Sequence, residues 1–191
     1  MISKYKITLI KNKIASEAKK MVGQNIDCAD VAITALAKAA RHYKVSLKIP
    51  IHQSGKRQLK YYYSSKYNLN AYIKKLRNHL GAVGFVDRDR ITVKVKIENL
   101  EPGDLVIYDL RGQGGGRSYS GHTRIIVSKN TSEKEFKVVE GHTKAKVEIN
   151  TYSYSRILYY DNWFNRLISF GKEYKAYKDG GREFNWKRIA Y

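Results

Sequence analysis

Near Gly84 the hydrophobic pattern of the chain changes period, and that change restricts the fold more than any other feature. Before it, Leu69, Tyr72, Ile73, Leu76 and Leu80 recur at helical spacing, with Asn68 as a cap and Gly81 at the stop. After it, Ile91-Thr-Val-Lys-Val-Lys-Ile97 alternates as a half-buried strand, and a turn at Leu100-Glu-Pro-Gly103 leads to a second strand over 104–109. Further strands are expected over 121–127, 135–140, 144–149 and 156–160. Helices first and short alternating strands afterwards describe an α+β fold with a segregated antiparallel sheet. A chain of 191 residues suffices for one well-buried core and is short for two, so a single domain over 1–191 is expected.

Upstream of Gly84 the pattern is more varied. Tyr5, Ile7 and Leu9 alternate with Lys6 and Thr8, which predicts a short strand or extended arm over 5–10, and Ile14 to Val22 reads as a short amphipathic helix closed by Gly23. The loop Gly23 to Asp27 then delivers Cys28 to the start of an alanine-rich apolar run, Val31 to Ala40, with Asp27 as its N-cap. From Lys44 to Tyr67 the chain is basic, rich in tyrosine and irregular. The glycine-rich Gly112 to Gly116 lies between strands and lacks the Lys-Ser/Thr ending of a phosphate-binding loop; it suits flexible access to something beside His122.

Charge narrows the partners. Lys and Arg number 37 against 17 Asp and Glu, a net charge of +20 that attracts polyanions: nucleic acids, anionic membrane surfaces or bacterial wall polymers. No window reaches the length of an apolar membrane span, and Met1 to Lys13, broken by lysines, has no secretory signal pattern. With a lone cysteine the fold needs no internal disulfide, and no paired Cys or His spacing suggests a metal site, so neither metal nor cofactor is expected.

That cysteine is placed for chemistry. At the first turn of a helix, unpaired N–H groups and the macrodipole favour thiolate over thiol. A nucleophile also needs a base and a group to orient the base, which converge in space while lying far apart in sequence. His122 opens one expected strand and Glu140 closes the next. Strand alternation puts His122 on the face of Arg124 and Ile126, and a carboxylate at the neighbouring strand end could fix its tautomer.

The ordered set Asp27-Cys28-Ala-Asp, Leu100-Glu-Pro-Gly-Asp-Leu-Val-Ile-Tyr-Asp109, Gly121-His122 and Val138-Val-Glu140 resembles the papain-like cell-wall hydrolases of the NlpC and CHAP types. The resemblance covers roughly residues 23 to 142. It implies a papain-like fold, with N-terminal helices carrying the nucleophile on a C-terminal antiparallel sheet. It also implies Cys28 as nucleophile, His122 as general base and then acid, and Glu140 as the orienting group. His142 stands where an Asn is frequent in CHAP domains and is the alternative third member. Ala29-Asp30 departs from the small pair often found after the cysteine.

The function implied is a cysteine peptidase or amidase that cleaves amide bonds of peptidoglycan through a thioester, as a secreted antibacterial effector or a lysin. An anionic wall is then the substrate, an immunity or inhibitor protein a partner, and export by a route without a visible signal peptide the expected location. Two other readings stand beside it. One is a papain-like protease acting on a protein. The other is a non-enzymatic basic module binding nucleic acid, although no recognisable nucleic-acid motif is present.

Overall fold

The computed structural model describes residues 2–52, 59–86, 91–109, 121–142, 145–160, 174–176 and 180–191. The first element is a helix, α1 (Lys4–Lys19), where alternation over 5–10 had suggested an extended segment. The reason lies in spacing: Ile10, Ile14 and Ala18 fall on one face and are fully buried, whereas Tyr5 is 75% exposed and its place in the alternation is incidental. Ser3 caps the helix by accepting from the Lys6 N–H. Gly23, with φ +83°, then turns the chain.

The second helix, α2 (Cys28–His42), begins at the cysteine, and Asp27 caps it by accepting from the Asp30 N–H at 2.8 Å. Its alanines leave little bulk on any side, so it is buried along nearly its whole length. The basic tyrosine-rich stretch is more regular than expected, forming an antiparallel pair, β1 (Lys48–His52) and β2 (Leu59–Tyr63). After it comes α3 (Leu69–Arg77), capped by Asn68 through the Ala71 N–H.

Six antiparallel strands make the main sheet: β3 (Thr92–Lys94), β4 (Leu105–Asp109), β5 (Gly121–Asn130), β6 (Glu135–His142), β7 (Ala145–Ser153) and β10 (Gly181–Phe184), in the order β3-β10-β4-β5-β6-β7. The alternation over 91–97 yields only the three residues of β3, because the chain enters a 3₁₀ turn at Ile97. Similarly, the strand expected over 156–160 is a 3₁₀ turn followed by β8 (Tyr159–Tyr160), paired with β9 (Tyr174–Lys175). A short helix, α4 (Trp186–Ile189), follows β10. The Gly112 to Gly116 loop lies outside the described residues.

Alternation along the strands divides the core. Ile107, Ile125, Val127 and Val139 pack with the helices, while Val106, Tyr108, Ile126 and Val138 form a second cluster with Phe136 and Ile157 on the other face. The Pro-Gly-Asp-Leu segment locks α1 to this sheet. Gly103 has φ +92°, and a Cβ there would fall 2.2 Å from the Lys11 carbonyl oxygen. Beside it the buried Asp104 carboxylate holds Lys11 Nζ at 2.7 Å and accepts from the Glu101 N–H. The segment is thus a docking device for a helix.

Candidate active site

Two backbone arrangements bring Cys28 to the sheet. Gly23 N–H donates to the Val147 carbonyl and Val147 N–H donates to the Gln24 carbonyl, both at 2.8 Å, so the loop before Cys28 is stitched to β7. Next to this, Gly141 of β6 lies under the loop; a Cβ there would meet the Ile26 carbonyl oxygen at 2.3 Å. Only glycine allows that approach. The β6–β7 register is interrupted between Glu140 and His142, which is where the strand meets the loop.

At the opening end of β5, the Thr123 backbone N–H reaches the sulfur of Cys28, as does the N–H of Ala29. Cys28 is half-buried. Burial pushes its thiol up to about 12, the two N–H groups pull it back, and the carboxylates of Asp27 and Glu140 push it further. Burial thus opposes the thiolate that the helix start favours. Desolvation outweighs the helix terminus.

His122, next to Thr123, is almost wholly enclosed, at 3% exposure. Its Nε2 lies 2.6 Å from Glu140 Oε2, so Glu140 meets the ring at Nε2. Burial lowers the imidazole's pKa, the Glu140 carboxylate opposes that, and the Arg124 and His142 charges add to it. Burial disfavours the charged form of both thiol and imidazole.

Glu140, 1% exposed, sits at the centre of a polar network on the sheet face away from the helices. Its Oε2 accepts from His122 and from Arg124 Nε at 2.8 Å; its Oε1 accepts from Asn150 Nδ2 at 3.0 Å and Tyr152 Oη at 2.8 Å. Burial raises its pKa, yet the His122 hydrogen bond and the Arg124 guanidinium together hold it well below the usual carboxylate range. Arg124 is itself sandwiched, its Cζ 4.0 Å from the Tyr152 ring centroid and 4.9 Å from that of Tyr108, and it donates to the Tyr108 hydroxyl. The charge on Glu140 is thereby fixed in place.

His142 is arranged differently. Its ring stacks on His122 at 5.2 Å between centroids, 14° from parallel, and its Nε2 lies 3.6 Å from Glu148 Oε1. It covers one face of the His122 ring, whereas Glu140 holds the nitrogen. Both sequence candidates for a third member are thus beside His122, in distinct positions.

Among the described residues, His122, Glu140 and His142 also form the one group with metal-ligand side chains close together, their ligand atoms lying within 4.8 Å of one another. The donor set fits a cation poorly. Each Glu140 oxygen already accepts two hydrogen bonds, and imidazole lone pairs lie in the ring planes, which here are stacked and nearly parallel.

Sequence reasoning placed Cys28, His122 and Glu140 but missed Arg124, Asn150, Tyr152 and Tyr108 as parts of one network. A signal existed for Arg124: a cation two residues after His122, on the same face and followed by the apolar Ile125, Ile126 and Val127. Nothing local marked Asn150 or Tyr152, which enter through the pairing of β7 with β6.

A cleft of about 690 Å³ opens beside the start of α2, lined by Gln24, Asp27, Asp30, Lys38, Lys74 and Arg77 among others. In it Arg77 donates to Thr34 Oγ1 at 2.8 Å and pairs with Asp30 at 3.4 Å. Burial and the nearby Asp27 raise the Asp30 carboxyl to about 6, with Arg77 opposing. No helix of the described residues is long and apolar enough to cross a membrane. Comparison with protein-family models, with curated proteins and with solved structures finds no match to this chain.

Proposed function

We propose that the protein is a papain-like cysteine hydrolase that cleaves amide bonds of bacterial peptidoglycan through a thioester on Cys28. One observation carries the reading. The sulfur of Cys28 is seated against the backbone of Thr123, the residue after a buried histidine whose Nε2 is fixed by a buried, charged Glu140.

In this reading the thiol proton passes to His122 Nδ1 as sulfur attacks the amide carbon, giving a tetrahedral oxyanion. The imidazolium forms beside Glu140, whose charge stabilises it and fixes the ring's orientation. The Cys28 N–H, at the first turn of α2, is one donor to the oxyanion. Collapse expels the amine, which takes the proton from His122; water then attacks the thioester with His122 as base.

Peptidoglycan is favoured by the resemblance and by the +20 charge, which suits an anionic wall. The wall location implies export, and an antibacterial role would bring an immunity protein. The second reading keeps the same three residues and takes a protein substrate; the cleft beside Asp27, charged with both signs, suits a peptide equally well. Mass spectrometry of fragments released from purified peptidoglycan separates them. Defined stem-peptide or sugar-peptide products that vanish in Cys28→Ala are expected, and no release by the folded wild type from several wall types would contradict the wall as substrate.

A further inference from the structure

Between Asp30 and Asp87 the chain contains no Asp or Glu, yet it carries eleven of its Lys and Arg. The described part of this run comprises most of α2, the β1–β2 pair and α3. To it is joined the C-terminal segment: Leu47 bridges Ala190, the Tyr191 ring packs edge-on against Tyr63, and Arg188 donates to the Tyr61 hydroxyl. That segment from Phe184 also lacks acidic residues and adds Lys187 and Arg188. Surfaces that serve solubility alone intersperse both signs, because a one-sign lobe repels itself.

We propose that this lobe, apart from Lys38, Lys74 and Arg77, which line the cleft beside the start of α2, is a second binding surface, for a polyol phosphate polymer of the bacterial wall, separate from the site at Cys28. Two observations choose that chemistry over nucleic acid. Eight of the eleven cations are lysines, which act as hydrated point charges and not as planar forks. Three of the lobe's tyrosines that could have been stacking platforms are capped: Lys66 Nζ stands 5.3 Å over the Tyr63 ring, and Lys75 Nζ stands 5.7 Å and 5.8 Å over Tyr62 and Tyr67. Tyr62 is moreover buried and stacked on His79. Rings so covered present ammonium groups to a partner, which fits a flexible chain of phosphodiesters without bases.

The lobe's position defines what it does. The helix α2 has 15 residues and is about 22 Å long, with Cys28 at one end and Arg41 and His42 at the other. At that far end a cleft of about 390 Å³ is lined by Arg41, Lys44, Ser64, Ser65 and Tyr67. A polymer held there tethers the enzyme to the wall and raises the local concentration of substrate without entering the active site.

That the phosphate polymer is a wall polymer rests on the hydrolase reading, and the test keeps the two apart. Binding is measured with full-length Cys28→Ala protein and soluble polyglycerol phosphate at low salt. It is repeated on sacculi carrying a polyol phosphate polymer and on the same sacculi stripped of it. Replacing Lys44, Lys60, Lys66 and Lys75, all exposed, by Gln is expected to weaken polymer binding about tenfold or more. Replacing the exposed Lys4, Lys94, Lys96 and Lys137 by Gln removes the same charge elsewhere and should change it less than about twofold.

Equal losses in the two variants, or none in either, would overturn the proposal, as would equal binding to stripped sacculi. Tighter binding of single-stranded DNA than of polymer at equal phosphate would assign the lobe to nucleic acid instead. In otherwise wild-type protein the lobe variant should cleave soluble stem-peptide fragments at the wild-type rate. Binding without any such cleavage would sink the hydrolase reading and leave the phosphate surface standing.

Discussion

At the scale of the residue, the account divides the work between Glu140 and His142. Glu140 raises the His122 pKa and His142 lowers it, while the proposed mechanism requires neutral His122. The acid limb of kcat/KM therefore follows that pKa, and the two substitutions move it in opposite directions. In Glu140→Gln the imidazole loses its anion, so the limb shifts to lower pH and kcat falls by about 10²–10⁴, the range seen when an orienting carboxylate is neutralised. The same change leaves the Arg124 guanidinium buried without its counter-charge, which costs about 3–5 kcal/mol of stability. In His142→Ala the limb shifts to higher pH and kcat changes less than about tenfold. A pH–rate profile of each variant checks both signs; a larger loss in His142→Ala than in Glu140→Gln would make His142 the orienting residue.

Among the elements, the join between β6 and the loop before α2 sets the position of Cys28, the proposed nucleophile. Gly141→Ala places a methyl against the Ile26 carbonyl and drives loop and strand apart, at a cost of about 1–3 kcal/mol. Because a displacement of an ångström at the reacting atom matters, activity should fall at least about tenfold. Gly23→Ala is the control: φ is +83° but nothing lies within 4 Å of a Cβ, so the cost is about 1–2 kcal/mol of backbone strain with activity retained. Thermal midpoints and rates measured together on the two variants distinguish a strained loop from a displaced cysteine.

The same scale shows what was legible in the sequence. Caps at Asp27 and Asn68 are local chemistry and were readable, as were the long strands from Gly121 to Ser153, whose alternation in β5 and β6 reflects two buried faces. Alternation misled over 5–10, where a helical stripe of Ile10, Ile14 and Ala18 decides the structure, and over 91–97, where Ile97 is buried from a turn. The β1–β2 pair was hidden because its residues combine charge, rings and a proline and lack a clean period. Cys28, His122 and Glu140 were legible as residue types at element ends. The rest of the network was not, since Asn150 and Tyr152 meet Glu140 only through a register that pairing sets.

Across the whole molecule, charge and burial act against each other. With +20 net charge, self-repulsion opposes folding, and salt screens it. Raising ionic strength from about 0.05 M to about 0.3 M should lift the thermal midpoint, as the Debye length shortens from about 14 Å to less than 6 Å. A falling midpoint, followed by circular dichroism, would mean that surface ion pairs outweigh repulsion. The same salt should weaken polymer binding, so stability and affinity are expected to move in opposite directions.

The central claim is that Cys28 becomes acylated with His122 as its base. The most direct measurement is intact-protein mass after rapid acid quench of the reaction with soluble stem-peptide amides, with the adduct located by peptide mapping. The account predicts a mass increase equal to the acyl fragment, mapped to Cys28 and absent from Cys28→Ala and His122→Ala. Undiminished cleavage by Cys28→Ala, or an adduct mapped to another residue, would contradict it.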